Sequence, residues 1–299
     1  MSAPYADNLR YHLKYVIMET NCKKGFRVES DLIGPIEVPE CALYGVQTLR
    51  GIENFKISKF HLNEYPEFIK GLAITKQAAA RANFELGLLT KEQADAVEQA
   101  CQEIIDGKFH DQFPVDMIQG GAGTTTNMNA NEVIANRALE IMGHKRGEYQ
   151  YCSPNDIVNC AQSTNDAYPT AIHIGMYFAH LRFLKHYREI INAFLRKAEE
   201  FANIIKIGRT QLEDAVPMTL GQTFHGFASI LTDEIKHLDE AANDFLTVNM
   251  GATAIGTGIC AEPGYAEKCV AALADLCILC SQIRREIGLT VCLGQSVCI

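Results

Sequence analysis

The chain has 299 residues, 47% hydrophobic and 21% charged, which is enough for one large core or two domains. Its 27 basic and 36 acidic residues leave a formal charge of −9, which repels phosphate backbones and argues against nucleic acid as a partner. No run of 18 apolar residues occurs, and the opening MSAPYADNLRYHLKYVIMET carries Asp7 and Glu19 without a continuous apolar stretch, so neither a membrane span nor a targeting leader is expected.

Helical signals dominate in chain order, and the expected class is all-α. Pro66 opens a run to Gly87 that is rich in Ala, Lys and Leu. Thr90 with Gln93 three residues later reads as a capping box for a helix ending near Gly107. A further helix is expected after Met128, running to about Met142 before Gly143. Two longer segments follow. Ile172, Met176, Ala179, Phe183, Tyr187, Ile190, Phe194, Ala198 and Phe201 recur in steps of three and four. So do Leu220, Phe224, Phe227, Leu231, Ile235, Leu238, Ala242, Phe245 and Val248. Each predicts a helix of about 30 residues, about 45 Å long, whose apolar stripe is core material for a helix bundle.

Eleven cysteines are scattered along the chain and are expected to be mostly reduced, as in the cytoplasm. The spacing of Cys277 and Cys280 admits zinc, but Cys292 and Cys298 lie six apart with no His nearby. Buried or incidental thiols are the preferred reading, and no metal site is expected.

Four polar, Gly-containing segments carry what chemistry the sequence offers. The first, Gln119 to Glu132, sets three glycines before three threonines and three asparagines, a pattern able to hold an anion at a helix N-terminus. It is not a phosphate-binding P-loop, since no Gly-Lys-Ser/Thr follows. The second, Ser153 to Thr170, contains Ser163, Thr164, Asn165 and Asp166, more polar groups than one helix cap requires. The third, Gly208 to Gln222, holds Arg209 close to Glu213 and Asp214, where an ion pair could simply tie down a loop. The fourth, Asn249 to Gly258, is a run of small residues that lets backbones approach closely. Together they suit a small dicarboxylate bound by hydroxyls, amides and helix ends, with no cofactor fingerprint.

The segments GGAGTTTNMNANEVIANRALE, QSTNDAYPTA, GRTQLEDAVPMTLGQ and NMGATAIGTG resemble the aspartase/fumarase superfamily, and DLIGPIEVPECALYGVQTLRGIENF is similar to its aspartase branch. The resemblance covers residues 27–274. It implies a mostly helical fold, with a small N-terminal domain and a long-helix bundle completed in a homotetramer. It also implies cofactor-free, reversible elimination of ammonia from L-aspartate to give fumarate, through an aci-carboxylate. Fumarate hydration is the alternative chemistry.

By motif position, Thr124 matches a contact to the substrate carboxylate or amine. Ser163 and Thr164 match hydroxyls on the carboxylate beside the carbon losing its proton. Asn165 matches a contact to the amino group, and Thr210 one to the other carboxylate. Gln211 stands where fumarases and some aspartases carry His, which favours amine elimination. The family's general base, a serine on a Gly-Ser-Ser loop, has no counterpart in these 299 residues, so no catalytic base is assigned. The expectation is a C-terminally truncated family member with impaired turnover, or an inactive partner of an intact subunit. The expected organisation is an extension over 1–26 with Met18 as a second possible start, a lyase domain over 27–165, a partial bundle over 166–274, and a divergent Cys-rich tail over 275–299.

Overall fold

The computed structural model describes residues 25–277 and the backbone of Arg284–Arg285. Its elements, in order, are β1 (Phe26–Asp31), β2 (Gly34–Pro39), α1 (Val46–Asn54), α2 (Pro66–Glu85), α3 (Lys91–Ile105), α4 (Thr124–Ile141), α5 (Thr164–Glu200), β3 (Ile205–Thr210), β4 (Glu213–Thr219), α6 (Leu220–Asn243), β5 (Thr247–Val248), α7 (Tyr265–Leu276) and β6 (Arg284–Arg285). The fold is mostly helical, as expected. The strands form only two-stranded ribbons: β1–β2 and β3–β4 antiparallel, β5–β6 parallel. Cα packing separates two units. One runs to Gly175 and resumes at Thr247; the other is Met176–Leu246.

In the first unit the core is built by α2, α3 and α4 with residues from the N-terminal segments, including Leu43, Leu49, Leu72, Val97, Ile104, Val133, Ile134 and Leu139. The expected boundaries of α2 and α3 hold to within two residues. Pro66 occupies the first turn of α2, where its missing N–H costs nothing. Thr90 and Gln93 make the capping box: Gln93 N donates to Thr90 Oγ1 at 3.3 Å and Thr90 N to Gln93 Oε1 at 3.1 Å.

Two glycines set the crossing of α2 with the start of α5. A Cβ on Gly71 would run into the Ala171 carbonyl, and one on Gly175 would lie 2.9 Å from Phe68 Cα. Gly71→Val is therefore expected to lower stability by about 1–3 kcal/mol, the usual range for overpacking. The urea midpoint checks it; an unchanged midpoint would mean the helices can separate without loss.

Two expectations about helices are corrected. The helix expected after Met128 begins at Thr124, four residues earlier. Gly123 supplies a left-handed turn at φ 87°, and the Gln119 side chain caps the first turn, its Oε1 accepting from Thr126 N at 2.9 Å. The two long helices are unequal, at 37 residues for α5 and 24 for α6: α5 begins at Thr164, ahead of its expected stripe, and α6 ends at Asn243, where a 3-10 turn (Asp244–Leu246) and β5 take over the end of its stripe. The ion pair expected in that hairpin forms between Arg209 and Asp214 at 3.1 Å, both exposed.

Helix α5 tolerates Pro169 in its second turn. The carbonyl left without a helical donor is that of Asn165. The Asn249 side chain fills the gap, donating Nδ2 to Asn165 O at 3.0 Å.

The stripe assigned to the core is not buried within the second unit. Met176, Phe183 and Ile190 of α5 are exposed, as are Phe227 and Ile230 of α6. Of the stripe residues in this unit only Ala242 is buried; the other buried hydrophobic positions are Leu184, Ile191, Ala228 and Leu246. The rings of Phe194 and Phe201 meet Phe224, and Phe194 also meets Phe227, at centroid distances of 5.4–5.9 Å. The pairing of α5 with α6 thus uses a neighbouring face and leaves a second apolar face of α5 uncovered.

Candidate functional site

The first turns of α4 and α5 meet in the first unit. Asn127, one turn into α4, donates Nδ2 to Thr164 Oγ1 at 3.2 Å. Gly123 lies against the Tyr168 ring so closely that a Cβ there would come within 2.6 Å of it. Two helix N-termini, each with a partial positive charge, therefore lie side by side. This places Thr124 in one neighbourhood with Ser163, Thr164 and Asn165. Thr210 and Gln211 belong to the second unit, at the exposed tip of the β3–β4 hairpin.

The hydrogen bonds already made decide what each group can still offer. Thr124 spends its proton on the Gly121 carbonyl at 2.6 Å, which leaves oxygen lone pairs, suited to an ammonium donor. Ser163 Oγ accepts from Asn165 N at 3.2 Å and Thr164 Oγ1 accepts from Asn127, which leaves both hydroxyl protons for an anion. Asn165 commits Nδ2 to the Ala254 carbonyl at 2.8 Å, which leaves its Oδ1 as an acceptor.

Asp166 anchors the site from beneath. It is fully buried, and its carboxylate accepts from Ser163 N at 2.9 Å, Gly251 N at 3.2 Å and Thr253 N at 2.8 Å. The second and fourth polar segments are thereby tied together. Burial raises the Asp166 carboxyl above its usual range, opposed by these backbone donors and by the charge of Lys76.

The polar segments also carry most of the backbone strain. Six non-glycine residues among those described have left-handed φ, and five fall in these segments: Ala122 (51°), Ala161 (57°), Gln211 (48°), Leu212 (70°) and Thr253 (58°). Each such residue costs of order 1 kcal/mol, and such strain clusters where function demands it. Gln211 and Leu212 form a two-residue turn with positive φ at both positions, a geometry for which Asn-Gly is the usual choice.

Sequence reasoning passed over Lys76, Asn127 and Asn159. Lys76 left one signal: it shares the apolar stripe of Ile69, Leu72, Ala73, Ala79 and Ala80 on α2, where a charge is out of place. Burial pushes its amine down from 10.5 to about 7. Between those values the unfolded chain keeps a proton that the folded chain gives up, so this group adds stability as pH rises from about 7 toward 10.5. Comparison of parent with Lys76→Met cancels the opposite slope from buried thiols such as Cys101 and Cys269. The thermal midpoint of the parent is expected to gain on the variant from pH 7 to pH 9, and parallel profiles would contradict this assignment.

Cys101, Cys152, Cys160, Cys260 and Cys269 are free thiols, and Cys41 is disulfide-bonded. Among the described residues no His/Cys/Asp/Glu group could hold a metal ion. Of the cysteines weighed for zinc, Cys280, Cys292 and Cys298 lie outside the described residues.

A family model described as lyase matches residues 34–287. The chain belongs to this lyase family. It is 56% identical over 251 residues to an aspartate ammonia-lyase of Pseudomonas aeruginosa, covering 84% of this chain and 53% of that protein. It is 52% identical, also over 251 residues, to the aspartate ammonia-lyase of Escherichia coli, covering 84% and 52%. Among solved structures it matches a fumarate lyase:delta crystallin from Brucella melitensis, with TM-score 0.84, 47% identity, and coverage of 90% of this chain and 58% of that one. It also matches a class II fumarase from Schistosoma mansoni, with TM-score 0.77, 34% identity, and coverage of 88% and 55%. This lyase spans about half the length of the curated relatives it matches. The superfamily expected from the sequence motifs is met by these relatives, and no described helix is long and apolar enough to cross a membrane.

Proposed function

We propose that this chain supplies substrate-binding elements of an aspartate ammonia-lyase, which eliminates ammonia from L-aspartate to give fumarate. The observation that carries the reading is the meeting of two helix N-termini lined by neutral groups, Thr124 on one and Ser163, Thr164 and Asn165 on the other. Proton loss beside a carboxylate builds a second negative charge on it, and hydroxyl donors preset at a helix N-terminus stabilise that aci-carboxylate as it forms. Ser163 and Thr164 keep the protons for this role. Thr124 Oγ1 and Asn165 Oδ1 keep lone pairs for the departing amino group. Thr210 is assigned to the other carboxylate and Gln211 to discrimination of amine from hydroxyl. No proton-abstracting base is assigned among the described residues, and no metal or cofactor enters the scheme.

The uncovered face of Met176, Phe183 and Ile190 supports assembly with further copies, a homotetramer in this reading. A cytoplasmic setting is assigned on the free thiols among the described residues, with the Cys41 disulfide as the opposing observation.

The test is calorimetric binding of fumarate and L-malate to the purified chain, together with co-refolding alongside a full-length relative disabled at the position of Thr164. Fumarate binding, and recovery of ammonia release from L-aspartate in the mixture, are expected. Failure of both, or recovery of malate dehydration instead, would overturn the reading. Gln211→His is expected to move preference from L-aspartate toward L-malate.

A further inference from the structure

Lys76 sits in the middle of α2, 1% exposed, with no ion-pair partner among the described residues. Its ammonium donates to Asn159 Oδ1 and to Gln162 Oε1, both at 2.9 Å. As an ammonium, its form below about pH 7, Lys76 can only donate, so both amides turn their oxygens toward it. Asn159 Oδ1 also receives Nδ2 of Asn127 at 3.1 Å and Nδ2 of Asn131 at 3.3 Å, while Asn159 Nδ2 donates to the Gln162 carbonyl at 3.2 Å.

The direction then propagates. With Asn159 fixed as acceptor, Asn127 must present N–H, and the same Nδ2 reaches Thr164 Oγ1 at 3.2 Å. Thr164 is the acceptor in that pair. No described residue takes its hydroxyl proton, so that proton is left for a ligand at the start of α5. This arrangement leaves Oδ1 of Asn127 and of Asn131 buried without a partner, an unfavourable state for two carbonyl oxygens. A flipped Asn127 would set oxygen against oxygen at Asn159 and draw the Thr164 hydroxyl proton to its own Oδ1; the ammonium at the head of the chain, together with the Gln162 carbonyl that takes Asn159 Nδ2, holds the chain against that flip.

We propose that Lys76 is a positioning residue: it fixes the direction of the hydrogen-bond chain through Asn159 and Asn127 so that the Thr164 hydroxyl donates to a bound carboxylate. The proposal rests on the dicarboxylate reading above. A merely structural lysine would hold α2 against the Asn159–Gln162 segment without influencing Thr164 in particular.

A double-mutant cycle separates the two roles. Met is close to Lys in volume and carries no charge, so Lys76→Met is expected to fold, with circular dichroism as the check. If it does not fold, Lys76→Gln takes its place, since Gln can accept as well as donate and also releases the constraint. In the full chain at pH 6, where Lys76 holds its proton, Lys76→Met is expected to weaken fumarate binding about tenfold, the worth of one hydrogen bond to a charged group. In a Thr164→Val background, where the hydroxyl is gone, the same change is expected to alter affinity by less than about twofold. Equal losses in both backgrounds, or none in either, overturn the proposal.

Absence of fumarate binding by the parent chain would instead sink the dicarboxylate reading. Side-chain amide NMR then decides the role of Lys76. The Nδ2 protons of Asn127 and Asn159 are expected to exchange slowly in the parent and faster in Lys76→Met. Unchanged exchange overturns the proposal.

Discussion

Asp166→Ala is expected to lower stability by about 3 kcal/mol or more and to abolish dicarboxylate binding, because it leaves three buried backbone N–H groups without an acceptor at a cost of roughly 1–3 kcal/mol each. The freed donors are those of Ser163, Gly251 and Thr253. Thr253 also holds a left-handed φ of 58°, a conformation that relaxes once its N–H is released. Ser163 loses the bond that fixes the turn into α5, so the hydroxyl pair at that helix end disperses. Asp166→Asn is expected to be nearly as damaging. One oxygen of Asp166 faces Ser163 and the other faces Gly251 and Thr253, so an amide must turn its N–H₂ toward one set of donors. Urea unfolding gives the stability change, and hydrogen exchange at residues 249–254 reports the loosening. A loss below about 1 kcal/mol, with protection of that segment intact, would show that the carboxylate is not what binds the two segments.

The second large effect belongs to Glu132, which caps α1 from inside the core. Its carboxylate accepts from Gly45 N at 2.8 Å, Gln47 N at 2.7 Å and Thr48 N at 3.0 Å. Glu29 takes the remaining donor, Val46 N, at 2.9 Å. Two buried acids from α4 and β1 thus satisfy the whole N-terminus of α1, and Gly45 is required because a Cβ there would lie 2.9 Å from Glu132 Cδ. Glu132→Ala is expected to cost about 3–5 kcal/mol, in line with removing one side of a buried charged network.

Burial pushes the Glu132 carboxyl up from 4.5 to about 7, with hydrogen bonds from Thr48 and Gln47 acting against it. A folded-state value above the unfolded one means a stability contribution fully present below 4.5 and lost as pH rises through about 7. Glu132→Gln, which keeps one acceptor oxygen and does not titrate, is expected to lose stability at every pH yet show a shallower decline between pH 4.5 and 7. Urea midpoints across that range decide it. A decline as steep as in the parent would assign the titration to another group.

The two acids differ in how visible they are along the chain. Asp166 stands inside an obviously polar segment, where helix capping already accounts for one carboxylate. Glu132 follows Asn127, Asn129 and Asn131 in what reads as the end of a loop, and nothing local says that its partners lie at residues 45–48. Reach of that kind depends on α4 crossing α1, and the crossing is set by packing of the whole first unit.

What the sequence determined by itself was local. Thr90 and Gln93 set the start of α3, Pro66 set the start of α2, and the three-four recurrence of apolar residues announced the long helices. Each signal acts within one or two helical turns, so it is complete in the residues concerned. The polar segments were likewise legible by composition alone as stretches rich in neutral donors and acceptors.

Tertiary structure decided the rest. The apolar spacing of α5 is satisfied by more than one face, so only its pairing with α6 could choose Leu184 and Ile191 over Met176, Phe183 and Ile190 for burial. Pro169 is harmless only because Asn249, eighty residues later, returns to the carbonyl it strands. Lys76 is a charge out of place on an apolar stripe until Asn159 and Gln162 are brought to it. In each case a group meets its partner far away in the chain, and such a match exists only once the backbone between them has folded.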